Sequence, residues 1–246
     1  MKKSLSSVTG VKLVSTRNIL NRFTQRYGQL PIPKKIRNRA SSGEMLLAEA
    51  LSAYNRKEHQ RAFKKCILAE KQILQAENTT TDLLKEYFKK LPAWRSWISE
   101  AIARSKSKRT SVIIVDKMAH TCKVYVNGVQ RAVYDAELGS NWLGDKKRKG
   151  DRATPEGKYH VTMKKGAKQS KYYKALLINY PNEDDRREFK GGGLIEIHGH
   201  GGKGANWTEG CVALQNRDID HLFNIVSVGT PVIIVGTLSE PPEYLQ

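Results

Sequence analysis

The chain has 246 residues, enough for one or two domains with a real core, and its 43 Lys and Arg against 24 Asp and Glu give a formal net charge of +19. Such a field suits nucleic acid, an anionic membrane face or an acidic polymer, and equally a plain solvated basic surface. Zinc-finger spacing and the aromatic-basic signature of an RNA-binding sheet are both missing, which argues against nucleic acid; no run of eighteen apolar residues exists, which excludes a membrane-spanning helix.

In chain order, Met1-Lys2-Lys3 has the charge of a signal n-region, but Ser4 to Lys12 is interrupted too early to serve as the apolar stretch. The protein is then either cytoplasmic or belongs to the periplasm or cell envelope with its secretion signal absent from this sequence. Residues 1–40 are polar and basic, with Pro31 and Pro33, and are expected to form a poorly ordered or extended arm in which Val14 to Phe23 could be a short helix. Ser41-x-x-Glu44 has capping-box form and predicts a helix start, with Leu47, Leu51 and Tyr54 on one face. A second helix is predicted from about Glu58 to Ala76, with Ala62, Cys66, Ala69 and Ile73 aligned. After a cap region at Thr79 to Asp82, Leu83, Leu84, Tyr87, Phe88 and Leu91 form another stripe, which Pro92 breaks before Trp94, Trp97, Ile98 and Ile102. These stripes read as a small bundle of three or four helices over 41–104, followed by a charged linker over 105–109.

Beyond the linker the period changes. Val112 to Val115 reads as a buried strand, and Lys123 to Val126, Asn127-Gly128 and Val129 to Leu138 as a hairpin, because Asn-Gly suits the type I′ turn. Thr154-Pro155-Glu156-Gly157 is a turn before a strand over Lys158 to Met163, with Asp151 and Glu156 read as turn residues. Ala175 to Tyr180, Leu194 to His198 and Pro231 to Val235 are further strands. One helix is embedded, with Asn216 as its cap candidate, Ile219, Leu222, Phe223 and Val226 on one face, and Gly229 at its end. The expected class is α+β: a helical bundle, then a mostly-β domain over 110–238 with one embedded helix, then a short tail over 239–246.

The chemistry concentrates in Ile195-Glu196-Ile197-His198-Gly199-His200 and, thirteen positions after His198, Thr208-Glu209-Gly210-Cys211. If the strand ran on, Glu196, His198 and His200 would share one face. Three readings compete: His198 is the base for a Cys211 nucleophile; His198, His200 and Cys211 ligate zinc, with His160 or Glu209 as fourth ligand; or all are structural. The three cysteines, Cys66, Cys122 and Cys211, are odd in number and form no C-x-x-C pair. Cys66 and Cys122 read as small core residues, and a bridge between them stays open.

From Ser111 to Leu238 the sequence resembles the L,D-transpeptidase catalytic domain, the YkuD family. The match runs through the Asn-Gly hairpin, Leu138-Gly139, Gly150 to Tyr159, Asn179-Tyr180-Pro181-Asn182, Ile197-His198-Gly199, Thr208-Glu209-Gly210-Cys211 and Gly229-Thr230-Pro231-Val232. The resemblance implies a β-sandwich-like fold and a Cys nucleophile acting on peptidoglycan stem peptides. By motif position, Cys211 is the nucleophile, His198 the base, the Gly199 carbonyl the group that orients the imidazole, and Gly210 and Cys211 the N–H donors to the oxyanion. Thr208 occupies the family's Ser/Thr position, fixing the loop beside the substrate.

Two departures stand out. The family often has His before the Gly-Cys, where this chain has Glu209, and many members carry Arg or Asn where it has Ala213; Cys-Val-Ala-Leu is closer to a subgroup from Gram-negative-type bacteria. Substrate-carboxylate recognition then falls to another cation, with His200, Arg152, Lys203 and Lys149 as candidates. The expected function is transfer of a stem peptide, through a Cys thioester, to an amine: a 3→3 cross-link, an exchanged D-amino acid or an attached lipoprotein. With water as acceptor the same machinery is an L,D-carboxypeptidase or amidase-type hydrolase, and a non-catalytic wall-binding protein is the rival from another class. The resemblance implies no metal or cofactor, and sensitivity to carbapenem-type β-lactams.

Overall fold

A computed structural model describes residues 4–245, so the Met1-Lys2-Lys3 feature lies outside the described residues. The chain divides into two compact units, one made of the residues up to Glu86 together with those from Pro242, the other of Tyr87–Pro241.

In the first unit the expected arm is helical. α1 (Leu5–Tyr27) begins at Ser4, whose side chain accepts from the Ser7 N–H at 3.2 Å, and α2 spans Lys34–Asn55. The polar character that suggested an arm is accommodated inside the helix: buried Thr9 and Thr16 return their hydroxyls to the Leu5 and Lys12 carbonyls at 2.7 and 2.9 Å. Arg22 clamps the buried Glu77 carboxylate at 2.8 and 2.5 Å, and Arg26 joins it at 3.3 Å. Ser41 and Glu44 lie inside α2 and do not open it; Pro33 precedes its first residue instead. α3 (His59–Phe88) is continuous through Thr79 to Asp82. Thr79 and Thr80 donate to the Gln75 and Ala76 carbonyls at 2.7 and 2.8 Å, so these hydroxyls serve the helix rather than cap a new one. Leu13, Leu47, Ala50, Cys66 and Ala69 form a core cluster, and Gly43 permits close helix approach, since a Cβ there would lie 2.5 Å from the Ile73 side chain. The tail ends in a 3-10 turn, Glu243–Leu245, whose Tyr244 meets Tyr27 edge-on with 5.8 Å between ring centroids.

The second unit starts earlier in the chain than the change of period suggests. α4 (Leu91–Lys108), with Pro92 in its first turn, packs on strand residues rather than completing a separate bundle: buried Trp94 occupies the space that a side chain at Gly236 would need. The expected linker is the last turn of α4, closed by Arg109 in the left-handed region (φ +54°) and by the Ser105 hydroxyl donating to the Thr110 carbonyl at 2.6 Å.

β1 (Ser111–Asp116), β2 (Thr121–Val126) and β3 (Val129–Asp135) follow, with Asn127 and Gly128 both at positive φ as the type I′ hairpin requires. The remaining strands are β4 (Gly157–Ser170), β5 (Tyr173–Ile178), β6 (Glu196–His198), β7 (Val212–Ala213) and β8 (Pro231–Val235), with α5 (Glu183–Arg187) before β6 and α6 (Asn216–Ile225) before β8. The strand order is β3-β2-β1-β8-β4-β5-β6-β7. β4 is the hinge of the architecture: Gly157 to His160 pair with β8, and from Val161 onward the strand pairs with β5, past register shifts. By changing partners part-way, β4 joins the β3-β2-β1-β8 strands to the β5-β6-β7 strands. The α+β expectation is met: helices first, then a strand-rich segment with helices among the strands. At α6 the N-cap is Gln215, so Asn216 is the first helical residue rather than the cap, and the helix closes at Val226, before Gly229.

Candidate active site

Three strands bring the predicted residues together. β5 pairs antiparallel with β6, setting Ala175 opposite His198, and β6 pairs parallel with β7 in the register Ile197↔Val212 and His198↔Ala213. Cys211 immediately precedes β7, so this register sets it beside Glu196 of β6, the strand that ends in His198. The Glu196 N–H donates to the Cys211 Sγ at 3.4 Å, and the thiol donates to the Leu194 carbonyl at 3.9 Å.

His198 is buried, and its Nδ1 lies 2.7 Å from the Gly199 carbonyl oxygen. A carbonyl can only accept, so Nδ1 carries the proton and Nε2 of the neutral ring holds the free lone pair. Burial lowers the imidazole pKa below 6.5, against smaller raising effects of the Gly199 hydrogen bond and the Glu196 carboxylate, so the ring stays neutral at pH 7. Tyr172 stacks on the ring at 4.4 Å between centroids and 22° between planes, and Trp207 meets it edge-on at 5.9 Å. Only glycine fits after His198: a Cβ at Gly199 would lie 2.6 Å from the Asn216 Oδ1 and 2.9 Å from the Tyr172 carbonyl.

Cys211 is half-buried, while Cys66 and Cys122 are buried, and all three are free thiols, which removes a Cys66–Cys122 bridge. Burial pushes the Cys211 thiol up to about 11, the Glu196 hydrogen bond acts to lower it, the Glu196 charge raises it and Lys146 lowers it. Both partners are therefore neutral at rest.

The structure revises three expected roles. Thr208 is buried: its hydroxyl donates to the Cys211 carbonyl at 2.7 Å and accepts from the Gly210 N–H at 3.2 Å, so it ties together the turn that carries Cys211. The Gly210 N–H, expected at an oxyanion, is thereby given to Thr208. His200 does not continue the His198 face, because β6 ends at His198 and His200 turns into the left-handed region at φ +62°. Its backbone N–H donates to the Asn216 Oδ1 at 2.8 Å and its side chain is exposed.

Among the candidate cations, Arg152 pairs with Glu209 at 3.3 Å, both side chains exposed, next to the nucleophile turn. Lys203 instead covers the Trp207 ring at 3.3 Å from its centroid. Glu156 is more than a turn residue: it is buried, with Lys117 at 2.9 Å and Lys90 at 3.2 Å. Asp151 does organise a turn, accepting from the N–H groups of Lys147, Arg148 and Ala153 at 2.6, 2.9 and 3.1 Å. Among the described residues no three His, Cys, Asp or Glu side chains converge as a metal ligand set, which removes the zinc reading of His198, His200 and Cys211.

Tyr172, Trp207 and Lys146 had no place in the sequence reading. Trp207 directly precedes Thr208 and its indole N–H donates to Glu137 at 2.7 Å, but nothing in the local pattern marks it. Lys146 opens the basic stretch Lys146-Lys147-Arg148-Lys149, whose composition gives no sign that its first member is buried.

The family model for the YkuD L,D-transpeptidase catalytic domain matches residues 110–234, half of the chain. YafK of Escherichia coli (strain K12) is 31% identical over 159 residues, 63% of this chain and 56% of that protein, and YqjB of Bacillus subtilis (strain 168) is 28% identical over 134 residues, 50% of this chain and 69% of that protein. Both carry provisional names as L,D-transpeptidases, and the match spans little more than half the length of YafK. Among solved structures, Bd1075 of Bdellovibrio bacteriovorus is similar with a TM-score of 0.44 and 26% identity over 55% of this chain and 50% of that one. The helical cell shape determining protein Pgp2 of Campylobacter jejuni is similar with a TM-score of 0.44 and 24% identity over 55% of this chain and 51% of that one. With His198, Gly199, Thr208, Gly210 and Cys211 in place within the matched segment, the chain belongs to the YkuD family of L,D-transpeptidase catalytic domains.

Proposed function

We propose that this protein is an L,D-transpeptidase acting on peptidoglycan stem peptides in the cell envelope, with Cys211 as nucleophile and His198 as general base. The observation that carries the reading is the Nδ1–H bond from His198 to Gly199, which leaves Nε2 as the proton acceptor on the strand beside Cys211. In the acylation step the Cys211 sulfur attacks the donor carbonyl while Nε2 takes the thiol proton. The tetrahedral oxyanion is stabilised by the Cys211 backbone N–H, since the Gly210 N–H is engaged with Thr208. The C–N bond then breaks, the leaving amine receives the proton from the imidazolium, and a thioester remains.

In the second step an acceptor amine attacks the thioester, Nε2 takes its proton, and the thiol is restored as the amide forms. A D-amino acid, a second stem peptide or a lipoprotein side chain each supplies such an amine. Water in the same place makes the enzyme a carboxypeptidase or amidase-type hydrolase. Arg152 and Glu209, an exposed ion pair at the turn that carries Cys211, are candidate polar contacts for the donor. The +19 charge suits an anionic wall polymer, and among the described residues no helix is long and apolar enough to cross a membrane.

The test is acylation by a carbapenem followed by intact mass, with muropeptides supplied separately with and without a D-amino acid. We expect one stable adduct, lost in Cys211→Ala, and an exchanged product that appears only with the D-amino acid. No adduct on reduced, folded protein overturns the nucleophile assignment. Hydrolysis alone in both muropeptide reactions overturns transpeptidation in favour of the hydrolase.

A further inference from the structure

Lys146 is a lysine whose side chain is only 2% exposed, an unusual place for an ammonium unless it is paired. Its Nζ donates to the Asp151 carboxylate at 2.8 Å and to the Glu209 carbonyl at 3.2 Å. Two of its three donors thus join the Asp151 turn to the backbone that leads into Gly210 and Cys211. Gly210 sits at φ +132°, in a conformation that a side chain would strain, and a Cβ there would lie 2.5 Å from the Ala153 carbonyl oxygen and 3.3 Å from the lysine Nζ. The ammonium is therefore packed against the residue that precedes the nucleophile. Asp151 in turn is held by three backbone N–H groups, so the whole assembly is rigid. Burial acts to raise the Asp151 pKa, but Lys146 and these N–H groups outweigh it and keep the carboxyl below its ordinary value, so the pair is ionic.

We propose that Lys146 is a positioning residue for Cys211: its buried ammonium fixes the Glu209–Gly210 turn and supplies the permanent positive charge against which negative charge develops on the sulfur. The opposing charge is Glu196, whose N–H touches the sulfur while its carboxylate is drawn to Lys165 at 3.0 Å. The Cys211 thiol, pushed up by burial, feels Lys146 in the lowering direction. Lys146 thus opposes desolvation at the moment the proton leaves for His198. This role rests on the reading of Cys211 as the nucleophile, but it concerns the thiol alone and is independent of which acyl donor or acceptor is used.

The experiment measures alkylation of Cys211 in the full chain by iodoacetamide against pH, located by peptide mapping, in wild type, Lys146→Met and Lys146→Arg, with folding checked by circular dichroism. Lys146→Met is expected to react about tenfold more slowly at about pH 8 and to reach its plateau at higher pH, while Lys146→Arg stays near wild type. A folded Lys146→Met with an unchanged pH profile overturns the proposal. A second measurement needs no variant: the ratio of alkylation by anionic iodoacetate to that by neutral iodoacetamide, taken in about 1 M salt, where surface charges act over only about 3 Å. A fixed buried cation raises that ratio above the value for a short cysteine peptide; a ratio equal to the peptide's overturns the proposal whether or not Lys146→Met folds. Failure of carbapenem acylation with this dependence intact would remove the transpeptidase reading and leave the Lys146 role standing.

Discussion

His198, the proposed base, ends β6, and Cys211, the proposed nucleophile, immediately precedes the neighbouring β7, but the two are held by different kinds of interaction. His198 is oriented by its immediate surroundings: its own successor's carbonyl at 2.7 Å, the stacked Tyr172 and the β5–β6 ladder. Cys211 sits on a turn maintained by Thr208 within three residues and by Lys146 from 65 positions earlier in the chain. The base side is thus almost wholly backbone geometry, which only glycine at 199 permits. The nucleophile side is a balance of charge and burial, in which Glu196 and Lys146 act on the sulfur in opposite directions. The difference teaches that orientation errors should be severe and unrescuable at His198, whereas charge changes around Cys211 should tune the rate.

The largest effect that sharpens this contrast is His198→Asn, expected to slow carbapenem acylation by about 10²–10⁴-fold, the usual contribution of a general base, with the fold retained by circular dichroism. An acylation rate within a few-fold of wild type would place the base elsewhere. In wild type the acid limb of the rate against pH should fall below pH 6.5, because burial depresses the imidazole pKa and only the neutral ring can accept a proton. The rate is then retained as pH drops through 6.5 and lost only as it passes the depressed value.

Next comes Gly199→Ala. The added methyl group would meet the Asn216 side chain and the Tyr172 carbonyl, so we expect the Gly199 carbonyl to shift and acylation to fall about 10²-fold, in the range of a displaced catalytic group. Acylation kinetics at saturating carbapenem measure it; a change confined to the apparent affinity would contradict an orienting role.

Thr208→Val removes both hydrogen bonds of the nucleophile turn and leaves the Gly210 N–H without its acceptor. A loss of about 1–3 kcal/mol of stability, read by thermal or denaturant unfolding, is expected together with slower acylation.

The smallest effect is at Glu196→Gln, which removes the negative charge acting on both groups. Its carboxylate raises the Cys211 and His198 pKa values, so the variant should ionise its thiol at lower pH and shift the acid limb further to the acid side. A few-fold faster alkylation at neutral pH would accompany it. A shift of either group in the opposite direction would break the view that charge tunes the nucleophile side.

Much of the site was legible before any coordinates. A His at a strand end followed by glycine, and a Thr-x-Gly-Cys turn, are local patterns whose chemistry follows from residue type and spacing. The Asn127-Gly128 hairpin, β1 and β8 were equally plain, because period and turn chemistry agree there. α1 was legible only over Val14 to Phe23: its buried face includes Thr9 and Thr16, and its arginines reach Glu77 more than fifty residues away, so neither hydrophobic period nor composition reveals its full length. The start of the second unit was missed for a related reason, since Trp94 reads as one more residue of a helical stripe until Gly236 is placed against it.

By itself the sequence singled out Cys211, His198 and Gly199 as the candidate site and pointed to the family, because those depend on short motifs in a set order. Tertiary structure alone decided that Thr208 is committed to the turn, that the Gly210 N–H is engaged, that His200 leaves the His198 face, and that Lys146 is buried beside the nucleophile. Each of these turns on which donor meets which acceptor across a folded loop, and on how much water is removed from a charge. Neither is a function of spacing along the chain.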